Sequence, residues 1–195
     1  KGIELLVDID QDTPRILSGD SLRLQQILTN LISNSIKFTG QDGIILVSAW
    51  DVSDKTDGLT DDQVMLAFAV KDTGTGIAPD YLPSLFEPFT QGDFSSTRKY
   101  EGTGLGLSIC KRFVTMMHGS IDVVSAVGQG STFTFTVRLV RAATPIASMF
   151  DIPPDLRGIN VLVVDDCADS RHIMAKILTS LEFTVETLAS GKDAL

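Results

Sequence analysis

A run of helical character from residue 21 to residue 38 does most to limit the folds open to this chain. Leu22, Leu24, Ile27, Leu28, Leu31, Ile32 and Ile36 recur along it and give it a broad apolar face. Asp20 or Ser21 supplies an N-cap, and Gly40 and Gly43 close the far end. A face that wide has to be covered by a second layer, and strand-like runs lie on both sides of it. Residues 3–9 read as a short strand closed by Asp10, Asp12 and Pro14. Residues 44–52 and 64–71 read as an antiparallel hairpin around the polar loop 53–63. A glycine-rich turn at 72–76, a short helix near 80–86, a helix over 105–117 and strands at 120–125 and 132–139 follow. The expected fold class is α/β (α+β): a two-layer sandwich whose mixed, mostly antiparallel sheet is covered by helices on one face.

Residues 141–158 hold Pro145, Pro153 and Pro154 among small residues and read as a linker. Beyond them, 161–164 is a buried-type strand ending in Asp165-Asp166, followed by a helix near 169–181, a strand at 183–188 and the start of a further helix. This is the beginning of an alternating β/α domain, expected to be incomplete. The organisation expected is therefore a domain at 1–140, a linker at 141–158 and a truncated unit at 159–195. A length of 195 residues suits one domain and a fraction. The chain starts at Lys1 without a signal-like segment and looks cut from something longer.

Charge narrows the ligand class. A net charge of -9 argues against broad binding of nucleic acid or of an anionic membrane, both of which need a basic face. A polyanionic ligand then requires cations gathered locally. Arg98, Lys99, Lys111 and Arg112 stand against a single acid, Glu101, in one short stretch. No apolar run approaches the roughly 20 residues of a bilayer span. Cys110 and Cys167 are far apart and outside any CxxC or His-rich cluster, so reduced thiols in a cytoplasmic setting are expected rather than a zinc site.

Four short patterns carry chemistry. Gln26, Asn30, Asn34 and Lys37 form one polar stripe on the first long helix. Amide oxygens are hard ligands and lysine neutralises phosphate, so the stripe suits a metal-phosphate, although a solvated helix face has the same pattern. Asp72-Thr73-Gly74-Thr75-Gly76-Ile77 follows a strand directly. Its carboxylate could accept from an exocyclic amine, or it could cap an ordinary tight turn. Phe86-Glu87-Pro88-Phe89 comes next. Gly102-Thr103-Gly104-Leu105-Gly106-Leu107 then opens a helix, where free amides make a phosphate site; in isolation it could equally be a hinge. It is neither a dinucleotide fingerprint nor a P-loop, because residue 107 is Leu, no strand precedes it and no GxxxxGK[ST] occurs.

In combination and in this order, the four patterns resemble the N, G1, F and G2 boxes of the ATP-binding catalytic domain of sensor histidine kinases, over roughly residues 1–140. The second unit resembles the start of a response-regulator receiver domain, an incomplete doubly wound β/α fragment, with Asp165-Asp166 as its acidic pair. Together they look like the central part of a hybrid sensor histidine kinase. The resemblance implies ATP and Mg²⁺ as ligands. It places Asn34 on Mg²⁺, Asn30 and Lys37 on phosphate oxygens, and Asp72 on the adenine amino group. Gly74 and Gly76 would let base and phosphates pack close, beside Ile77. Phe86 and Phe89 would anchor a lid at 90–101, with 90–106 expected to be mobile, and Arg98 or Lys99 would reach the γ-phosphate. Gly102, Thr103, Gly104, Leu105, Gly106 and Leu107 would present amides to the phosphates. Thr132 would set a hydroxyl near adenine. Asp165 and Asp166 are a candidate divalent-cation pair.

Reaction type follows from one position. Related gyrase and mismatch-repair ATPases carry a water-activating Glu where this chain has Asn30. An amide is no general base, so ATP held here should be transferred rather than rapidly hydrolysed, and Asn30→Glu should raise hydrolysis. The implied partner is a histidine-bearing dimerisation and phosphotransfer hairpin of the same protein, with the receiver downstream. His118 and His172 lack an acceptor's surroundings and read as structural or surface histidines. A nucleotide-responsive module without phosphotransfer is the alternative.

Overall fold

Helix α1, Ser21–Phe38, is fastened at both ends by side chains. The Asp20 carboxylate accepts from Arg23 N at 3.0 Å, which caps an otherwise unpaired first-turn amide. At the far end Lys1 Nζ donates to the carbonyls of Ile36, Lys37 and Thr39 at 2.8, 3.2 and 3.0 Å. These are carbonyls that a helix end leaves without partners, and a cation there also suits the helix dipole. Between the caps, Ile27, Leu31 and Ser35 form the buried row at four-residue spacing.

The computed structural model describes residues 1–89, 104–142, 153 and 156–195. These fall into two units, Lys1–Ala142 and Ala143–Leu195. In the first, α1 and helix α2 (Gly106–Met116) cover one face of a six-stranded sheet. The strands are β1 (Glu4–Ile9), β2 (Leu17–Ser18), β3 (Ile44–Asp51), β4 (Gln63–Asp72), β5 (Ile121–Ala126) and β6 (Gly130–Arg141). The order is β1-β3-β4-β6, with β5 and β2 sharing the other edge of β6. Only β1 and β3 run parallel; every other pair is antiparallel, as expected of a mixed sheet.

Alternation explains the core. On β4, Val64, Leu66, Phe68 and Val70 face the helices; on β6, Phe133, Phe135, Val137 and Leu139 do the same. Phe68 and Phe135 stack at 5.1 Å between ring centroids, and Phe86 meets Phe133 edge-on at 6.4 Å. Two expectations change. The helix near 80–86 is a 3-10 segment, Pro79–Ser84, in which Pro83 lacks the N–H that an α-helical ladder would direct to residue 79. The two-residue β2 has no periodicity to reveal it and exists only through its pairing with Val140 and Arg141.

In the second unit, β7 (Asn160–Val164) and β8 (Thr184–Leu188) pair in parallel across helix α3 (Ala168–Ser180), which buries Ser170 and Ile173. Ser190 Oγ donates to Asp193 Oδ2 at 2.7 Å and accepts from Asp193 N at 3.3 Å, closing the turn after β8. No helix among the described residues is long and apolar enough to cross a membrane.

Candidate nucleotide site

Three apolar rows of the core end in polar residues at one end of the sandwich. On α1 the row Ile27, Leu31 runs on to Ser35; on β4 Val70 is followed by Asp72; on β6 Phe133 is preceded by Ser131. Asp72 and Ser131 are direct partners across the sheet, so the rows converge. Asp72 is only 5% exposed. Its Oδ1 accepts from Gly74 N at 2.8 Å and Ser131 N at 3.3 Å, whereas among the described residues Oδ2 accepts only from Ser35 Oγ at 3.3 Å. A carboxylate has about four lone-pair sites, so Oδ2 keeps acceptor capacity for a ligand donor. Burying a carboxylate is costly unless it is well hydrogen-bonded, and two backbone amides meet part of that need.

The turn after Asp72 is welded to the protein itself. Thr75 N donates to Phe38 O at 3.2 Å, Gly128 N to Thr75 O at 2.8 Å, and Ile77 N to Ser125 Oγ at 2.8 Å. A Cβ at residue 74 would lie 2.7 Å from Phe38 O, and one at residue 76 would lie 1.9 Å from Ala126 O. Glycine is required at both positions because the chain's own backbone and carboxylate occupy the place of a Cβ. Gly76 is also at φ 68°, a conformation that disfavours any Cβ.

Helix α2 opens facing α1. Leu105 is its N-cap, and among the described residues no side chain caps the first-turn amides. Asn30 Nδ2 donates to Gly106 O at 2.8 Å, tying the two helices together. Phe89 is 75% exposed at φ 64°, and its N donates to Gly104 O at 3.1 Å. That bond brings together the two ends of the segment 90–103, which lies outside the described residues. Arg98, Lys99, Gly102 and Thr103 fall within it, as does the lid expected at 90–101.

The family of histidine kinase-, DNA gyrase B-, and HSP90-like ATPases matches residues 19–141, well over half of the chain. The chain belongs to this ATPase family. Among curated relatives, the peroxide stress-activated histidine kinase mak2 of Schizosaccharomyces pombe is 36% identical over 199 residues, covering 97% of this chain and 8% of the relative. Hybrid signal transduction histidine kinase B of Dictyostelium discoideum is 36% identical over 196 residues, covering 97% and 10%. The crystal structure of full-length ShkA in complex with AMPPNP superposes with a TM-score of 0.73 at 32% identity, over 99% of this chain and 36% of that one. The chain thus spans a tenth or less of these two relatives.

Within this ATPase fold the polar stripe of α1 divides. Asn34 makes no side-chain hydrogen bond among the described residues, so its amide oxygen is uncommitted, which fits a ligand to a phosphate-bound Mg²⁺. Asn30 is occupied by Gly106 O and also bonds Cys110. Lys37 holds its ammonium 5.2 Å from the Phe38 ring centroid. Cys110, 1% exposed, has its thiol pushed up from the ordinary 9.0 to about 11 by burial, partly offset by its bond to Asn30, so it stays protonated and inert.

One assignment does not survive the geometry. Thr132 pairs with Lys71 and, by the pleat, points to the face opposite Asp72; the hydroxyl beside Asp72 belongs to Ser131. Asp165 accepts from Cys167 N at 2.8 Å through Oδ1 and from Ser170 Oγ at 3.0 Å through Oδ2, which orients its carboxylate at the start of α3. No group of three His, Cys, Asp or Glu residues that could hold a metal occurs among the described residues. Ser35, Ser125 and Ser131 escaped sequence reasoning. Continuing the core's own parity one step past its last apolar residue would have found Ser131.

Proposed function

We propose that residues 1–140 bind Mg-ATP and transfer its γ-phosphoryl group to a histidine on a helical hairpin of the same protein. Residues 141–158 are a linker, and residues 159–195 begin a receiver domain, in a cytoplasmic two-component relay. The observation that carries this reading is the half-committed Asp72 carboxylate: Oδ1 is held by two amides while Oδ2 retains an acceptor site at the end of the core. An adenine amino group is the donor that fits it. The uncapped start of α2 offers amides to phosphate oxygens, and Asn34 with Lys37 lies on the facing helix. Bound Mg²⁺ would neutralise phosphate charge and bridge it to Asn34. The absence of a general base at position 30 favours transfer over hydrolysis. The relatives named as histidine kinases and the AMPPNP bound by ShkA support the same reading. The parallel β7-α3-β8 unit supports a receiver beginning, with Asp165 and Asp166 at the end of its first strand.

The test is calorimetric titration of the 195-residue chain with ADP and Mg²⁺, followed by addition of a histidine-bearing hairpin and ATP. Saturable binding and acid-labile phosphohistidine are expected. Asp72→Asn should weaken ADP about 10- to 100-fold, the worth of a buried charged hydrogen bond. Binding without transfer would leave a nucleotide-responsive module, and no binding would overturn the reading.

A further inference from the structure

Ser125 takes no part in the assignments above, yet it joins the turn after Asp72 to the β5–β6 hairpin. Its Oγ accepts from Ile77 N at 2.8 Å, donates to Gly130 O at 2.9 Å and lies 3.0 Å from Ser131 Oγ. A serine hydroxyl has one hydrogen and two lone pairs. With the hydrogen given to Gly130 O and one lone pair taken by Ile77 N, the contact with Ser131 has to run from Ser131 as donor. Ser131 thereby spends its only hydrogen on Ser125 and presents nothing but lone pairs to a ligand. Beside it, Asp72 Oδ2 is likewise an acceptor.

We propose that Ser125 is a positioning residue that fixes Ser131 as an acceptor, so that the site reads an exocyclic amine and rejects a carbonyl at the same place. This rests on the nucleotide-binding reading above and adds the source of its base selectivity. An adenine amine has two hydrogens, one for each acceptor. The carbonyl of hypoxanthine would face two acceptors with no donor to meet it. Without Ser125, the Ser131 hydroxyl is free to turn and donate to that carbonyl. Leaving polar groups unpaired is what makes such discrimination large.

The experiment compares ADP with IDP by calorimetry on the 195-residue chain. The parent should prefer ADP strongly. Ser125→Ala should narrow the ADP-over-IDP ratio about tenfold, through better IDP binding relative to ADP, and Ser125→Thr should restore it. Ser131→Ala, which keeps the Ile77 anchor, should narrow the ratio as well, and adding Ser125→Ala to it should change the ratio no further. Equal weakening of both nucleotides by Ser125→Ala would reveal a merely structural residue and overturn the proposal. If Ser125→Ala does not fold, an unchanged ratio in Ser131→Ala overturns it alone. A parent chain that binds neither nucleotide overturns the nucleotide reading with it, whereas strong ADP binding with no preference over IDP sinks only this one.

Discussion

Single side chains in this molecule are set by which hydrogens and lone pairs the backbone has already taken. Asp72 is presented by one oxygen because the other is held, and Asn30 is turned to Gly106 while Asn34 is left open. The same accounting applies to Cys110, buried between α1 and α2 with its Sγ 3.9 Å from Ile27 O. Its folded pKa is raised, from 9.0 to about 11, so the neutral thiol is the form that folding favours. The associated stability is complete below pH 9 and is lost as the pH rises toward 11, because the unfolded chain ionises first. Two pKa units correspond to about 3 kcal/mol. Denaturant melts between pH 8 and 11 should show the parent losing about that much relative to Cys110→Ala, whose own curve lacks this titration. Parallel curves would mean that the thiol ionises as freely in the folded protein.

At the scale of elements, the end of α2 shows how a local conflict is carried. The helix closes at Met117, and His118 follows in the left-handed region at φ 58°. That place favours glycine, since a Cβ there costs about 1 kcal/mol. The next residue has to be glycine for a different reason: a Cβ on Gly119 would lie 1.7 Å from Thr136 O, where β6 passes close beneath. His118→Gly should therefore stabilise the protein by about 1 kcal/mol, and Gly119→Ala should destabilise it by about 2–3 kcal/mol, read from denaturant midpoints. Opposite signs at neighbouring positions separate backbone strain from steric contact. The motif order along the chain made the strands, both long helices and the Asp72 turn legible in advance, because each has its own period or punctuation. β2 and the 3-10 form of residues 79–84 were not legible: one is made by its partner strand and the other reflects the ladder bond that Pro83 cannot make.

On the scale of the whole molecule, the described residues form two units, each with its own buried residues. All the candidate nucleotide contacts that are described lie in Lys1–Ala142. A ligand that binds only the folded state raises stability with its concentration. A chain ending at residue 142 should then melt cooperatively and gain the same upward shift with ADP as the 195-residue chain. A truncated chain that binds ADP more than tenfold more weakly would show that the second unit contributes to the site.

The sequence by itself determined the layers of the first unit, the antiparallel hairpin, the place of the glycine-rich turn and the class of ligand to look for. The first three follow from periodicity and turn punctuation; the class of ligand follows from the resemblance of the four motifs, taken together and in order, to a known family. Only the tertiary structure decided which hydroxyl stands beside Asp72, what fills the space at Gly74 and Gly76, and which of the two asparagines bonds the facing helix. The physical reason is that these depend on pairing between β4 and β6 and between α1 and α2. A one-residue change of register reverses every side chain on a strand, and no local pattern states which partner has already taken an amide hydrogen.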